Sequence, residues 1–215
     1  MAYDVVIFDL DGTLLDTLDD LMDSCNYALS TIGAPPRTRA EIRQFVGNGI
    51  RNLMLQAVPD GEANPKFEQA YETMQTWYKA HNQIKTAPYP GVQQLIRTLS
   101  QQGVPMAVVS NKPDSSVQML VEQWFPEITF GLGEKEGLRR KPERDMVDYA
   151  IAQLGQTGKK AVYVGDSEVD LATAANAGLD CISVTWGFRD RELLVERGAK
   201  QFADTAEDLL QLIQG

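Results

Sequence analysis

The sequence predicts an α/β fold: a doubly wound parallel sheet, forming a Rossmann-like core, with an inserted all-helical cap domain. Three observations predict it. Short runs rich in Val and Ile recur as VVIF (5–8), VPMAVVS (104–110), AVYV (161–164) and CISVT (181–185), and near-continuous apolar runs of this length suit strands buried on both faces. Helical patterns lie between the later runs, and strands alternating with helices build parallel sheets. The stretch 18–82 shows no strand pattern at all, and it is far longer than a crossover connection needs.

In chain order, VVIF runs directly into Asp9-Leu10-Asp11-Gly12. Leu18, Leu21, Met22, Cys25, Leu29 and Ile32 then recur at helical spacing until Gly33-Ala34-Pro35-Pro36 stops the pattern. Thr38-x-x-Glu41 is a capping box that opens a second helix. Gly47-Asn48-Gly49 makes a turn, and Ile50, Leu53, Met54, Ala57 and Val58 form the next stripe. Asn64-Pro65 starts a last long helix carrying Phe67, Tyr71, Met74 and Tyr78. Apolar stripes of this kind are core faces. The cap is therefore placed at 18–82, joined near 14–18 and 83–90, and the core at 1–17 with 83–215. In the core, Gly91–Gln102 places Val92, Leu95, Ile96 and Leu99 on one stripe. Glu143–Leu154 is the other helical pattern, with Pro142 suited to its first turn.

The 215 residues are 43% hydrophobic and 23% charged, with a formal net charge of −10. So acidic a chain is a poor partner for nucleic acid or anionic membrane, and no apolar run has membrane-spanning length. Cys25 and Cys181 form no C-x-x-C pair, so two reduced thiols in a cytoplasmic protein are expected. The oligomeric expectation is a monomer or homodimer.

The strand ends carry the chemistry. Alternate residues of an extended chain share a face, so Asp9 and Asp11 start on one side, at the carboxyl end where open α/β sheets bind ligands. VPMAVVS ends in Ser110-Asn111-Lys112, and AVYV ends in Gly165-Asp166-Ser167-Glu168-Val169-Asp170. Parallel strands bring these tails together, crowding Asp9, Asp11, Asp166 and Asp170 into one crevice. Hard carboxylate oxygens there suit Mg²⁺ with room left for water and phosphate. Lys141 adds positive charge, and Ser110 and Asn111 offer hydrogen bonds to an oxyanion. An EF-hand reading of D-x-D-G fails, because it puts Ile7 and Leu18 at ligand positions. A plain Asp-Gly turn leaves the matching positions of Ser110, Lys141 and Asp166 unexplained. There is no Walker loop, G-x-S-x-G elbow or G-x-G-x-x-G after a strand, and the one histidine, His81, falls on the insert. Histidine triads and histidine zinc sites are thereby disfavoured, and His81 is read as a surface or packing residue.

At these residues the chain resembles the haloacid dehalogenase superfamily, and in particular its phosphoglycolate phosphatase-like members with a helical cap after the first motif. DLDGTLLDT (9–17), VVSNK (108–112), Lys141-Pro142 and GDSEVD (165–170) are similar to its four motifs, in order; the third departs from the frequent K-P-x-P as Lys141-Pro142-Glu143-Arg144. The resemblance implies that Asp9 is a nucleophile forming an aspartyl-phosphate. It implies that Asp11 is first acid and then base, and that Ser110 and Lys141 hold phosphate. It implies that Asp9, the Asp11 backbone carbonyl and Asp166 bind Mg²⁺, with Asp170 in support. The second aspartate argues against the dehalogenase and phosphonate-cleaving branches, and the absence of a histidine shortly after the first motif argues against the sugar phosphomutases. The expected function is a Mg²⁺-dependent phosphatase of a small phosphorylated metabolite, with 2-phosphoglycolate first. Other phosphate esters, pyrophosphate, or a catalytically weak Mg²⁺- and phosphate-binding regulator are the alternatives. Substrate choice is assigned to the cap, where Gly47, Asn48 and Arg51 are candidates and Arg51 is the expected carboxylate reader.

Overall fold

The structure is a computed structural model, and it describes residues 2–215. The chain divides into two compact units, Met1–Leu15 with Pro88–Gly215, and Asp16–Ala87. The second unit thus starts two residues before the 18–82 helical pattern and ends five after it.

The elements run β1 (Val5–Phe8), β2 (Leu15–Asp16), α1 (Leu18–Thr31), α2 (Arg39–Phe45), α3 (Gly49–Ala57), a 3₁₀ turn (Gly61–Ala63) and α4 (Phe67–His81). They continue β3 (Ala87–Pro88), α5 (Val92–Gln101), β4 (Met106–Pro113), α6 (Asp114–Trp124), β5 (Phe130–Glu134) and α7 (Asp145–Gln153). The last are β6 (Ala161–Gly165), α8 (Glu168–Ala177), β7 (Asp180–Val184), α9 (Arg191–Glu196), β8 (Gln201–Ala203) and α10 (Ala206–Gln214). β2 and β3 pair as a two-stranded ribbon.

The main sheet has the order β5-β4-β1-β6-β7-β8, all parallel. β1 lies between β4 and β6, in register Val6↔Met106 and Val5↔Ala161. The chain builds outward from β1 on one side through β4 and β5, then on the other through β6, β7 and β8. That reversal of strand order opens a crevice at the carboxyl ends. The period-two alternation of β1 divides its side chains between two cores. Val6, Phe8 and Leu10 pack with Ile96 and Leu99 of α5, Leu120 of α6 and Leu209 and Ile213 of α10. Val5 and Ile7 pack with Met146, Val147 and Ala150 of α7, Ala174 of α8 and Tyr163. Every β1 side chain is fully buried, which is why the run reads as continuously apolar.

Three expectations need correction. The strand expected at 104–110 is β4, Met106–Pro113; it stays extended through Ser110, Asn111 and Lys112 because its pairing with β5 resumes at Pro113 after an irregularity. Pro142 does not sit in the first turn of a helix, since α7 starts only at Asp145. A turn closed by Glu143 N–H to Arg140 O (3.0 Å) holds Lys141 and Pro142 at its centre. Finally, α4 starts at Phe67, with Asn64 Oδ1 accepting the Lys66 N–H (2.9 Å) just before it.

In the second unit, the Thr38–Glu41 capping box is complete: Glu41 N–H donates to Thr38 Oγ1 (3.3 Å) and Thr38 N–H to Glu41 Oε2 (2.8 Å). The α1 stripe of Leu18, Leu21, Cys25 and Leu29 is buried. Cys25 and Cys181 are free thiols; burial pushes the Cys25 thiol up to about 12, so it is inert at neutral pH. Buried Asp20 ties the ends of this unit together, accepting the Lys85 N–H (3.0 Å) and the Thr86 N–H (2.9 Å). His81 stacks on Trp77, with ring centroids 3.9 Å apart.

Candidate active site

Asp9 follows the β1 alternation and emerges at the carboxyl end on the face of Val5 and Ile7. Lys141, on the turn before α7, meets it there at 2.8 Å from Asp9 Oδ1. The same ammonium donates to Asp170 Oδ1 (2.8 Å) and to the Tyr163 hydroxyl (3.0 Å). Three donors thus meet three acceptors, and Lys141 is 3% exposed. Tyr163 lies on the same sheet face as Val5 and Ile7, and its hydroxyl donates a hydrogen bond to Val109 O (3.2 Å).

The Asp170 carboxylate is fully committed. Its Oδ2 accepts Asp166 N–H (3.2 Å), Ser167 N–H (3.1 Å) and the Ser167 hydroxyl (2.6 Å), in a capping box that starts α8. Asp166 is held separately, accepting Phe188 N–H on Oδ2 (2.6 Å) and the Thr13 hydroxyl on Oδ1 (3.3 Å). Gly12 and Gly187 press against it. A Cβ at either would strike the Asp166 side chain, and Gly12 has φ +88° besides, so both positions require glycine.

Asp11 takes a different partner. Its Oδ1 accepts from Lys112 Nζ at 2.7 Å, and the Lys112 side chain is 3% exposed. Lys112 N–H also donates to Ser110 Oγ (3.2 Å). With its oxygen engaged in this way, the Ser110 hydroxyl keeps its proton to donate. Asn111 is engaged with the Lys141 turn. Its side-chain nitrogen donates to the Lys141 carbonyl (3.0 Å), and its buried Oδ1 has no partner. Asn111 therefore braces the Lys141 turn with one N–H of its amide, and the second N–H of that amide is left to donate.

One oxygen from each of Asp9, Asp166 and Asp170 lies within 4.8 Å of the others. Burial is the main cause that pushes Asp9 up to about 7, against the pull of Lys141. Burial also pushes Asp166 well above the carboxylate range, reinforced by the Asp170 and Asp9 charges. Burial would lower Lys141, but Asp170 and Asp9 outweigh it and hold the ammonium protonated. Three carboxyl groups around one ammonium are costly to ionise together without a further cation, and a hard divalent cation fits these oxygens. Asp9, with Lys141 on Oδ1, and Asp166, whose Oδ1 meets only the Thr13 hydroxyl at 3.3 Å, keep lone pairs for it.

The cap candidates lie in the other unit. Asn48 precedes α3, whose first residue is Gly49. Arg51 is engaged within its own unit. It donates to Glu62 Oε1 (3.0 Å) and Glu68 Oε1 (2.6 Å), with its guanidinium carbon 5.1 Å from the ring centroids of both Phe67 and Tyr71. The expectation that Arg51 reads a substrate carboxylate thus meets a competing pair of carboxylates already in place.

Sequence reasoning assigned no role to Lys112, Tyr163, Thr13, Gly187 or Phe188. The signal for Lys112 was its two-residue spacing from Ser110 on one strand. Tyr163 was legible only as an aromatic in an otherwise aliphatic strand. Gly187 and Phe188 carried no signal, since their role is backbone contact with a residue about twenty positions away.

The family model described as haloacid dehalogenase-like hydrolase matches residues 6–184. Phosphoglycolate phosphatase 1 of Pseudomonas aeruginosa is 31% identical, over 96% of this chain and 78% of that protein. The phosphoglycolate phosphatase of Agrobacterium fabrum is 33% identical, over 86% of this chain and 82% of its own. A crystal structure from Lactobacillus delbrueckii subsp. bulgaricus, assigned as a phosphoglycolate phosphatase, superposes with a TM-score of 0.94 at 40% identity, covering 99% of each chain.

Proposed function

The chain belongs to the haloacid dehalogenase-like hydrolases, and on that premise we propose that it is a Mg²⁺-dependent phosphatase of a small phosphate monoester, with 2-phosphoglycolate the first substrate. The observation that carries the reading is the separation of the two aspartates. Asp9 is paired with Lys141, and Asp11 with Lys112. Two carboxylates two residues apart in different environments can take different roles.

Asp9 is the nucleophile. One of its carboxylate oxygens bonds to phosphorus as the bond to the leaving oxygen breaks, giving an aspartyl-phosphate. Asp11 delivers a proton to the leaving oxygen, then takes one from the water that attacks the aspartyl-phosphate and restores Asp9. Lys141 turns its Asp9-facing N–H to a phosphate oxygen while Asp170 and Tyr163 keep its position. The Ser110 hydroxyl donates to another. Asp9, the Asp11 carbonyl and Asp166 would hold Mg²⁺, with Asp170 orienting from behind. When bound, Mg²⁺ neutralises phosphate charge and draws the substrate against Asp9. The curated relatives named as phosphoglycolate phosphatases support the substrate.

The test is a screen of phosphate monoesters and pyrophosphate for released phosphate, with Mg²⁺ and with excess chelator. Hydrolysis of 2-phosphoglycolate in Mg²⁺ alone is the expected result. Hydrolysis of other esters but not this one overturns the substrate and leaves the phosphatase. Full activity in chelator overturns the mechanism. Failure to hydrolyse any ester, with Mg²⁺ still bound, favours a phosphate-binding regulator.

A further inference from the structure

In the chemistry above Lys112 appears only as the partner of Asp11, and its ammonium is buried beside it. We propose that Lys112 is a positioning residue that keeps the Asp11 carboxylate away from the cation held by Asp9 and Asp166; this rests on the Mg²⁺-dependent reading. The first observation is which carboxylates gather. Asp9, Asp166 and Asp170 place oxygens within 4.8 Å of one another. Asp11 is not among them, although it lies two residues from Asp9. The second is how close the Asp11 backbone comes to the cluster. The next residue, Gly12, is packed so tightly on the Asp166 carboxylate that a Cβ there would collide with it. The Asp11 side chain therefore leaves the backbone beside the cluster, and the 2.7 Å contact with Lys112 Nζ draws it elsewhere.

The third observation is how firmly Lys112 is itself held. It lies on β4, where its N–H donates to Ser110 Oγ (3.2 Å) and pairing with β5 resumes one residue later, at Pro113. Its side chain is 3% exposed, against 15% for Asp11. A buried pair is weak evidence of stabilisation, because desolvation cancels much of the attraction. Its physical effect here is orientation. A carboxylate bound to the metal has its lone pairs engaged and is a poor proton carrier; one held by an ammonium stays available to a leaving oxygen or a water. Lys112 divides the two aspartates, one for the cation and one for the proton.

The experiment is calorimetric titration of Mg²⁺ into the wild type, Lys112→Met, Asp11→Asn and the double variant, with thermal melts and turnover in parallel. Once released, the Asp11 carboxylate joins the cation's ligands, so Lys112→Met should bind Mg²⁺ about tenfold tighter while turnover falls at least tenfold. Asp11→Asn alone should bind Mg²⁺ within about threefold of wild type, and in the double variant the tightening should disappear. Unchanged Mg²⁺ affinity in Lys112→Met overturns the proposal, as does tightening that persists in the double variant, which would be the loss of a positive charge and nothing more. A purely structural Lys112 would lower the melting temperature without tightening Mg²⁺ binding. If Lys112→Met does not fold, Lys112→Gln makes the same comparison. A wild type that binds no Mg²⁺ overturns this proposal together with the function it rests on; a wild type that binds it while the variants match it overturns this proposal alone.

Discussion

Lys141 Nζ lies 2.8 Å from Asp9 Oδ1, and that ammonium also meets Asp170, pairing with two members of a buried cluster of three carboxyl groups. Removing it leaves Asp9 and Asp170 buried without their partner. Loss of one member of a buried pair costs about 3–5 kcal/mol, so Lys141→Met should lower the denaturant midpoint sharply as well as abolish turnover. Melting and activity measured on the same preparation check this. A variant of wild-type stability would mean that the Asp9 and Asp170 charges are met from elsewhere.

The nucleophile is tested more directly. Asp9→Asn replaces a carboxylate by an amide, a far weaker nucleophile and a poorer ligand for a hard cation. Turnover should fall by far more than tenfold, since tenfold is only about 1.4 kcal/mol of barrier. Phosphate release by the pure variant within tenfold of wild type would remove Asp9 from the chemistry.

The raised Asp9 value fixes the sign of a pH effect. Burial lifts its carboxyl from 3.8 to about 7 in the metal-free fold, so the folded chain holds a proton there that the unfolded chain has released. That contribution to stability is complete below about pH 4 and is lost as pH rises toward 7. Mg²⁺ must displace the same proton, and burial raises Asp166 as well, so its apparent affinity should weaken at least about tenfold per pH unit below 7. The rise in melting temperature on adding Mg²⁺ should accordingly be larger at about pH 7.5 than at about pH 5.5. An equal rise at both would show that Asp9 is ionised throughout.

What the sequence disclosed follows from what each feature depends on. β1 was legible because burial on both faces leaves no polar position in Val5–Phe8. The Thr38–Glu41 box was legible because both partners are local. β5 was not, because two of its five residues are glycines, and Gly133 is there for close approach: a Cβ would meet the backbone of Lys112 and Asp114. β8 was too short, at three residues, to show a period. In the site, Asp9 and Asp166 could be expected together from parallel strand ends, whereas Lys141 arrives on the turn before α7. The pairing of Asp11 with Lys112 could not, because it depends on β4 staying extended past Ser110. Nor could the orientation of Asn111, which only the placement of the Lys141 carbonyl decides.

Arg51 is where the expectation of an anion reader meets competing contacts in the fold. A basic residue in the first turn of a helix after Gly47-Asn48-Gly49 looks like an anion reader. In the fold its guanidinium lies against Phe67 and Tyr71 and donates to Glu62 and Glu68, joining α3 to the 3₁₀ turn and α4. To read a substrate carboxylate it would have to give up two carboxylates already bound, with no gain in charge. Arg51→Ala should therefore change turnover of 2-phosphoglycolate and of an aryl phosphate alike, leaving their ratio within about twofold. Because the pairs are exposed, the melting temperature should drop by no more than about 3 °C. A loss of about tenfold or more confined to 2-phosphoglycolate would mean that Arg51 leaves its glutamates for the substrate. Glu68→Gln separates the cases further. If Arg51 is a tie within the helical unit, weakening that tie lowers stability and leaves the substrate ratio alone; if it is a reader held in reserve, freeing it improves 2-phosphoglycolate turnover relative to the aryl ester.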